Sequence, residues 1–281
     1  MSEALRFSKG ELQGRWWACD GANSVVVLCH GVHQHAGMYE DFAQRLHGEG
    51  FAVFGYDLRG FGGSAGERGM TAENAFEQAM VDLKEAVEFA TKHITGKCFV
   101  FGHSLGGLVA CLLATEVSHK VDGFLLSSPS VAVAPLLKAA HMRTVLSCLP
   151  GAMALATYEL DSGSTNAAFK AGWVAQPEPL CDARRPFRVA YVRQARDAQL
   201  FVRKRFADFK GEVLVLGGRL DRNVHDHGAC DDLHRALKGS GRCTLNMYEG
   251  RKHELIFEAG DFAPGSNRPV DDAVAWLKGR A

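Results

Sequence analysis

Short, mostly unbroken apolar runs alternate with longer segments of helical period along this chain. Ser24–Cys29 (Ser-Val-Val-Val-Leu-Cys), 51–56, 98–101, Gly123–Ser127, 213–217 and 244–248 read as strands. Runs without a polar gap belong to strands covered on both faces. Segments 38–48, 71–93, 105–113, 226–237 and 270–278 read as helices; in the second, Phe76, Met80, Leu83, Val87 and Ala90 return at helical spacing. Residues 5–18 alternate like an opening antiparallel pair, with Gly14 near a bend or bulge. Strands exchanged with helices in this way predict an α/β protein with a mostly parallel sheet and helices on both faces.

Residues 128–210 break the rhythm. The stretch opens apolar from Val131 to Leu137, contains Pro150, Pro177, Pro179 and Pro186, and ends basic through Arg184, Arg185, Arg188, Arg193, Arg196, Arg203, Lys204 and Arg205. A structureless loop of that length does not suit a compact domain. It reads as a mostly helical cap over the C-terminal edge of the sheet, where open α/β folds bind ligands. The chain then divides into a first part of the core (1–127), the cap (128–210) and a second part of the core (211–281). The arginines read as a solvated helix face, or as a cap that touches a membrane peripherally through anionic headgroups.

Chemistry enters at Cys98 to Val109. A buried strand runs into Gly102-His103-Ser104-Leu105-Gly106 and then into a helix carrying Leu105, Leu108, Val109, Leu112 and Leu113. Strand, Gly-x-Ser-x-Gly and helix describe a nucleophile elbow, in which the serine oxygen stands clear of the backbone on a strained turn. Gly102 and Gly106 let strand and helix approach closely. The Leu105 N–H at the helix N-terminus suits an oxyanion, and Val32, after the Ser24–Cys29 strand, is the expected second donor.

A serine hydroxyl needs a base. Of twelve histidines, His253 follows the last strand and reaches the sheet edge of Ser104. His103 should point away and pack. Asp221, on the loop after the 213–217 strand, is the expected orienting acid; its rival Asp226 is placed to cap the next helix. Asp57 should pair with Arg59 and hold the Gly-rich turn that follows. The order Ser104, Asp221, His253 is that of a strand-elbow hydrolase.

Composition narrows the partners. Lys+Arg and Asp+Glu are both 32, so nothing overall points to nucleic acid. No apolar run reaches the ~18 residues of a membrane span, and the first residues lack a signal-peptide core. Eight cysteines without a CxxC pair suggest neither a disulfide framework nor a metal site; Cys29, Cys98 and Cys111 read as core, in a reducing, cytoplasmic compartment.

Longer motifs carry a resemblance. His30 through Tyr39, Asp57 through Gly69 (Asp-x-Arg-Gly-x-Gly-x-Ser-x-Gly-x-Arg-Gly), Gly-His-Ser-Leu-Gly-Gly, Gly-x-x-Asp and Tyr-Glu-Gly-x-x-His-Glu are together similar to the monoacylglycerol lipase and lysophospholipase branch of the α/β-hydrolases, the serine-aminopeptidase-like group. The resemblance implies an eight-stranded sheet, a helical cap, no cofactor or metal, and hydrolysis of an ester with a single fatty acyl chain. A lysophospholipid, short-chain ester or thioester would serve the same chemistry. A non-catalytic ligand receptor of this fold is the alternative of another class, and the intact triad argues against it. The sequence has His33 and Gln34 where the family has Gly and Glu, and Met38 where the family has Arg. By the resemblance these positions border the alcohol end of the site. Gln34 and Met38 are therefore expected to contact substrate and to weaken glycerol recognition, which Gln34→Glu with Met38→Arg should restore. Val131, Leu136 and Leu137 are expected to line an acyl tunnel.

Overall fold

The computed structural model describes residues 2–116, 120–139, 141–176, 185–224, 228–239, 241–258 and 262–281. Strands β1 (Glu3–Phe7) and β2 (Leu12–Trp17) form a hairpin, followed by β3 (Ser24–Cys29), helix α1 (Glu40–Gly48), β4 (Ala52–Tyr56), α2 (Ala75–His93), β5 (Lys97–His103), α3 (Leu105–Ala114) and β6 (Gly123–Ser127). A long connection carries α4 (His141–Cys148), β7 (Ala154–Ala156), α5 (Leu160–Gly163), α6 (Ala167–Val174), β8 (Phe187–Arg188) and α7 (Val189–Lys204). The chain closes with β9 (Glu212–Gly218), α8 (Ala229–Lys238), β10 (Cys243–Tyr248) and α9 (Arg268–Lys278). Eight strands form one sheet in the order β1-β2-β4-β3-β5-β6-β9-β10. The pairs β1·β2 and β2·β4 are antiparallel and the remaining five are parallel. This is the α/β-hydrolase fold.

Strand period explains the two-faced core. Val25, Val27 and Cys29 of β3 join Phe54 and Tyr56, Cys98 and Val100, and Val213 and Val215 on the face covered by α2, α3 and α8. The alternate residues Val26 and Leu28, Val53, Phe99 and Phe101, and Leu214 and Leu216 meet α1 and α9 on the other face. Because successive side chains point to opposite faces, a strand buried twice must be apolar throughout. Every residue of α3 is buried, which is why this helix has no polar side. Cys29, Cys98 and Cys111 are core residues.

Several boundaries differ from the sequence reading. The hairpin turns at Ser8, Lys9 and Gly10, all with positive φ, while Gly14 lies inside β2 opposite Tyr56. A Cβ there would come within 2.8 Å of the Phe54 ring, so the glycine serves packing rather than a bend. The first helix is preceded by a 3₁₀ turn at Ala36–Tyr39, and α2 begins at Ala75 rather than at residue 71. Asp226 and the start of its expected helix lie outside the described residues.

The connection between β6 and β9 rests on the loops at the C-terminal ends of the strands. Trp173 Nε1 donates to the His33 carbonyl at 2.8 Å, and Glu254 N–H donates to Gly163 O at 2.8 Å. Thr165 donates twice to Glu258, at 2.7 and 2.6 Å, and Phe169 stacks on Phe257 with centroids 4.5 Å apart. The arginines are not uniformly solvated: Arg196 is buried and donates to the carbonyls of Leu137 (2.7 Å) and Ala139 (3.3 Å).

Candidate active site

Ser104 stands between β5 and α3 with φ 51° and ψ −112°. A side chain rarely tolerates this backbone, and the neighbours enforce it. Ser104 N–H donates to Ser127 O and its carbonyl accepts Leu108 and Ser130 N–H. A Cβ on Gly106 would lie 2.1 Å from Cys29 O, and one on Gly102 2.6 Å from Gly106 O. Strand and helix meet so closely that only glycine fits at both places.

The loops after β5, β9 and β10 bring Ser104, Asp221 and His253 into one hydrogen-bonded chain. Asp221 Oδ2 lies 2.8 Å from His253 Nδ1, and His253 Nε2 lies 2.8 Å from Ser104 Oγ. A carboxylate accepts, so the ring proton sits on Nδ1 and the bare Nε2 accepts the serine O–H. The other oxygen of Asp221 accepts the N–H groups of Asn223 and Val224 at 2.8 and 3.1 Å. Burial pushes the Asp221 carboxyl up, but His253 and these N–H donors hold it below the usual range. Burial likewise opposes charge on His253, yet Asp221, their hydrogen bond and the nearby Glu254 keep its pKa above that of a free imidazole. Ser104, His253 and Asp221 are 7%, 2% and 0% exposed.

The Leu105 N–H opens α3, and the Val32 N–H lies on the turn after β3. Among the described residues neither donates to a protein acceptor. His30 holds that turn. Its Nε2 accepts Leu58 N–H at 2.8 Å, so its proton is on Nδ1, 2.7 Å from Gly31 O. Burial lowers its pKa to about 4, and the ring stays neutral in this role. Asp57 braces the same region, though not through Arg59: it accepts Ala36 N–H and Gly63 N–H, both at 2.8 Å. Arg59 instead clasps Asp82 of α2 with two contacts of 3.0 Å and reaches Glu11 at 2.8 Å.

The expected substrate contacts separate. Gln34 is sealed from solvent. Its Oε1 accepts Gly31 N–H (2.8 Å) and Tyr39 O–H (2.6 Å), and its Nε2 donates to Glu254 at 2.8 Å. Its side-chain groups are engaged within the protein, which corrects the expectation that it meets an alcohol. Met38 is half-buried and packs against Trp173, as do Tyr158, Leu160 and Phe169. His33 keeps the left-handed backbone, φ 57°, at the family's glycine position. Val131 is buried in the core two residues beyond Pro129, whose carbonyl accepts its N–H. Leu137 is half-buried. Leu136 is 76% exposed on a single 3₁₀ turn and lines no tunnel in this conformation.

These contacts reverse the expectation for the double change. Gln34→Glu would set a second carboxylate against Glu254 and remove its donor, and Met38→Arg would remove an apolar contact with Trp173. Together they should cost about 3 kcal/mol or more of stability in denaturant unfolding. A variant as stable as the wild type, with increased glyceride preference, would reinstate the original expectation.

Glu254, Tyr158 and Trp173 escaped the sequence reading. Only for Glu254 was there a signal: an acid directly after the expected base. His103, His253 and Glu254 each offer one potential ligand atom within 4.8 Å of the others, but both His253 nitrogens already have protein partners. A cleft of about 610 Å³ between α2, α4 and α7, lined by Phe76, Met80, Arg143, Arg193 and Phe201, does not include Ser104.

Comparison with known proteins agrees with this architecture. The human monoglyceride lipase is 29% identical over 272 residues, 95% of this chain and 86% of that protein. The monoacylglycerol lipase of Mycolicibacterium smegmatis is 27% identical over 275 residues, covering 93% and 90%. The crystal structure of Paleococcus ferrophilus monoacylglycerol lipase superposes with a TM-score of 0.78 at 26% identity, covering 96% of this chain and 100% of that one. The model of the Serine aminopeptidase, S33 family (Hydrolase_4) matches residues 20–260, and the chain belongs to that hydrolase family.

Proposed function

We propose that the protein is a monoacylglycerol lipase-like serine hydrolase that cleaves esters of a single fatty acyl chain. The observation that carries this reading is the pair of 2.8 Å contacts linking Ser104 to His253 and His253 to Asp221, at an elbow in a chain related to monoglyceride lipases. Ser104 Oγ attacks the ester carbonyl while His253 Nε2 takes its proton. The tetrahedral oxyanion is held by the Val32 and Leu105 N–H groups. His253 then protonates the leaving alcohol, and water, activated by the same nitrogen, releases the fatty acid. Asp221 keeps the imidazole in the Nδ1–H tautomer. The steps need no metal or organic cofactor. In this reading residues 128–210 act as the cap that opens for substrate.

A panel of monoacylglycerol, lysophospholipid, nitrophenyl ester and thioester of one acyl chain tests the substrate class. kcat/KM should depend strongly on chain length, since each buried CH₂ is worth about 0.8 kcal/mol. Indifference to chain length would refute an acyl-lipid substrate. No described helix is long and apolar enough to cross a membrane. Exposed Leu136, Val145, Met153 and Leu155 beside Lys138 and Arg143 support peripheral contact through the cap. The same panel presented in anionic vesicles should turn over faster than in neutral ones.

The pH dependence follows from His253. Only the neutral ring accepts the Ser104 proton, and its pKa is raised. Activity should therefore rise with pH, with an acid limb above the ~6.5 of a free imidazole. A rate flat from pH 5 to 8, with acylation rate-limiting, would exclude a histidine base.

A further inference from the structure

A second histidine–carboxylate unit lies one ring away from the first. His103 is fully buried beside Ser104, with Nδ1 3.1 Å from the Ser127 carbonyl and 3.3 Å from its hydroxyl. A carbonyl only accepts, so Nδ1 carries a proton. On its other side His103 Nε2 lies 3.1 Å from Glu254 Oε2. That nitrogen makes no hydrogen bond in this geometry, so the two buried groups meet only as a close contact.

Glu254 already accepts at both oxygens. Gln34 Nε2 donates to Oε2 and Tyr158 O–H to Oε1, each at 2.8 Å. The Gln34 amide cannot be reversed, because its oxygen takes the Gly31 N–H and the Tyr39 hydroxyl. Donors on both oxygens favour the ionised acid. Burial opposes that charge, but His103, His253 and Tyr158 outweigh it and hold the Glu254 pKa below the ordinary range. Tyr158 keeps its proton, because burial and the charge of Glu254 raise its pKa far above normal. Turning the His103 ring over would set carbon atoms against the Ser127 carbonyl and Glu254 Oε2.

We propose that Glu254 is a positioning residue whose carboxylate, within 4.8 Å of a His253 ring nitrogen, places a fixed negative charge beside the base. The ring centroids of His103 and His253 are 5.2 Å apart. The other titratable groups around the pair are Asp221, Tyr39, Tyr158 and the neutral His30. Glu254 adds to Asp221 in favouring the imidazolium that forms as Ser104 attacks, while the Gln34 and Tyr158 donors keep Glu254 ionised. The proposal rests on His253 as the base.

Two measurements on the full chain test it. In ¹⁵N-histidine-labelled protein, NMR should show His253 keeping its second proton to higher pH in the wild type than in Glu254→Gln. The same His253 titration in both proteins would overturn the proposal. In kinetics with a soluble nitrophenyl ester, Glu254→Gln should move the acid limb of kcat/KM down by roughly half a pH unit or more, the direction expected when a nearby negative charge is lost. A reduced rate with an unmoved limb would mean that Glu254 is merely structural. If His253 were not the base, His253→Gln would retain turnover while the difference in His253 titration between wild type and Glu254→Gln stayed the same, so the two failures are distinguishable.

Discussion

Ser104→Ala is expected to lower kcat by about 10⁶ and leave the fold intact. The magnitude is that of losing the nucleophile from a triad whose members act as a unit. The fold should survive because the backbone strain at φ 51° is imposed by Ser127, Ser130, Leu108 and the glycines around the elbow, none of which uses the hydroxyl. Alanine carries the same Cβ and meets the same steric demand. The hydroxyl's one side-chain partner, His253 Nε2, would face the site unpaired, a modest loss. Steady-state kinetics, thermal unfolding and labelling by a fluorophosphonate probe together check the result. Activity above a few per cent of wild type in purified protein would remove Ser104 from its role.

Asp221→Asn should cost roughly 10⁴ in kcat, through the tautomer of His253. One oxygen of Asp221 accepts two backbone N–H groups and the other accepts the ring N–H. An asparagine must aim its oxygen at the two backbone donors or leave both without an acceptor. Its NH₂ then faces Nδ1, which becomes the acceptor, and the ring proton moves to Nε2. In that form His253 cannot take the proton of Ser104. The loss should fall on kcat with little change in stability, since every backbone donor keeps its acceptor. Neutron diffraction or ¹⁵N NMR would read the reversed tautomer directly. A variant within tenfold of the wild-type rate would show that another acid orients the base.

Much of the core was legible because the signals are local. A strand buried on both faces must be apolar at every position, so Ser24–Cys29 announces itself without reference to its neighbours β4 and β5. The elbow is equally local: Gly102, Ser104 and Gly106 answer to clashes within a few residues and to the strand beside them. Asp221 and His253 were legible as polar residues on loops that end successive strands, because parallel strands bring all such loops to one edge. Helix starts were less legible. The segment before α2 carries helical spacing but begins to wind only after Asn74.

Side-chain partnership across the chain was the part that tertiary structure decided. Asp57 and Arg59 are two residues apart, yet the acid is taken by backbone N–H groups and the guanidinium by Asp82, because the loop turns them to different sides. Gln34 looked like a substrate contact in sequence, but its amide closes on Glu254, 220 residues away. Met38 found Trp173 and Leu136 found solvent for the same reason: the fate of each depends on how the segment between β6 and β9 folds back over the strand ends. Local period and backbone sterics act within a few residues and can be read in order. Which buried donor meets which acceptor is settled only when distant segments exclude water together, and Glu254, held by Gln34 and Tyr158 beside His253, belongs to that second kind.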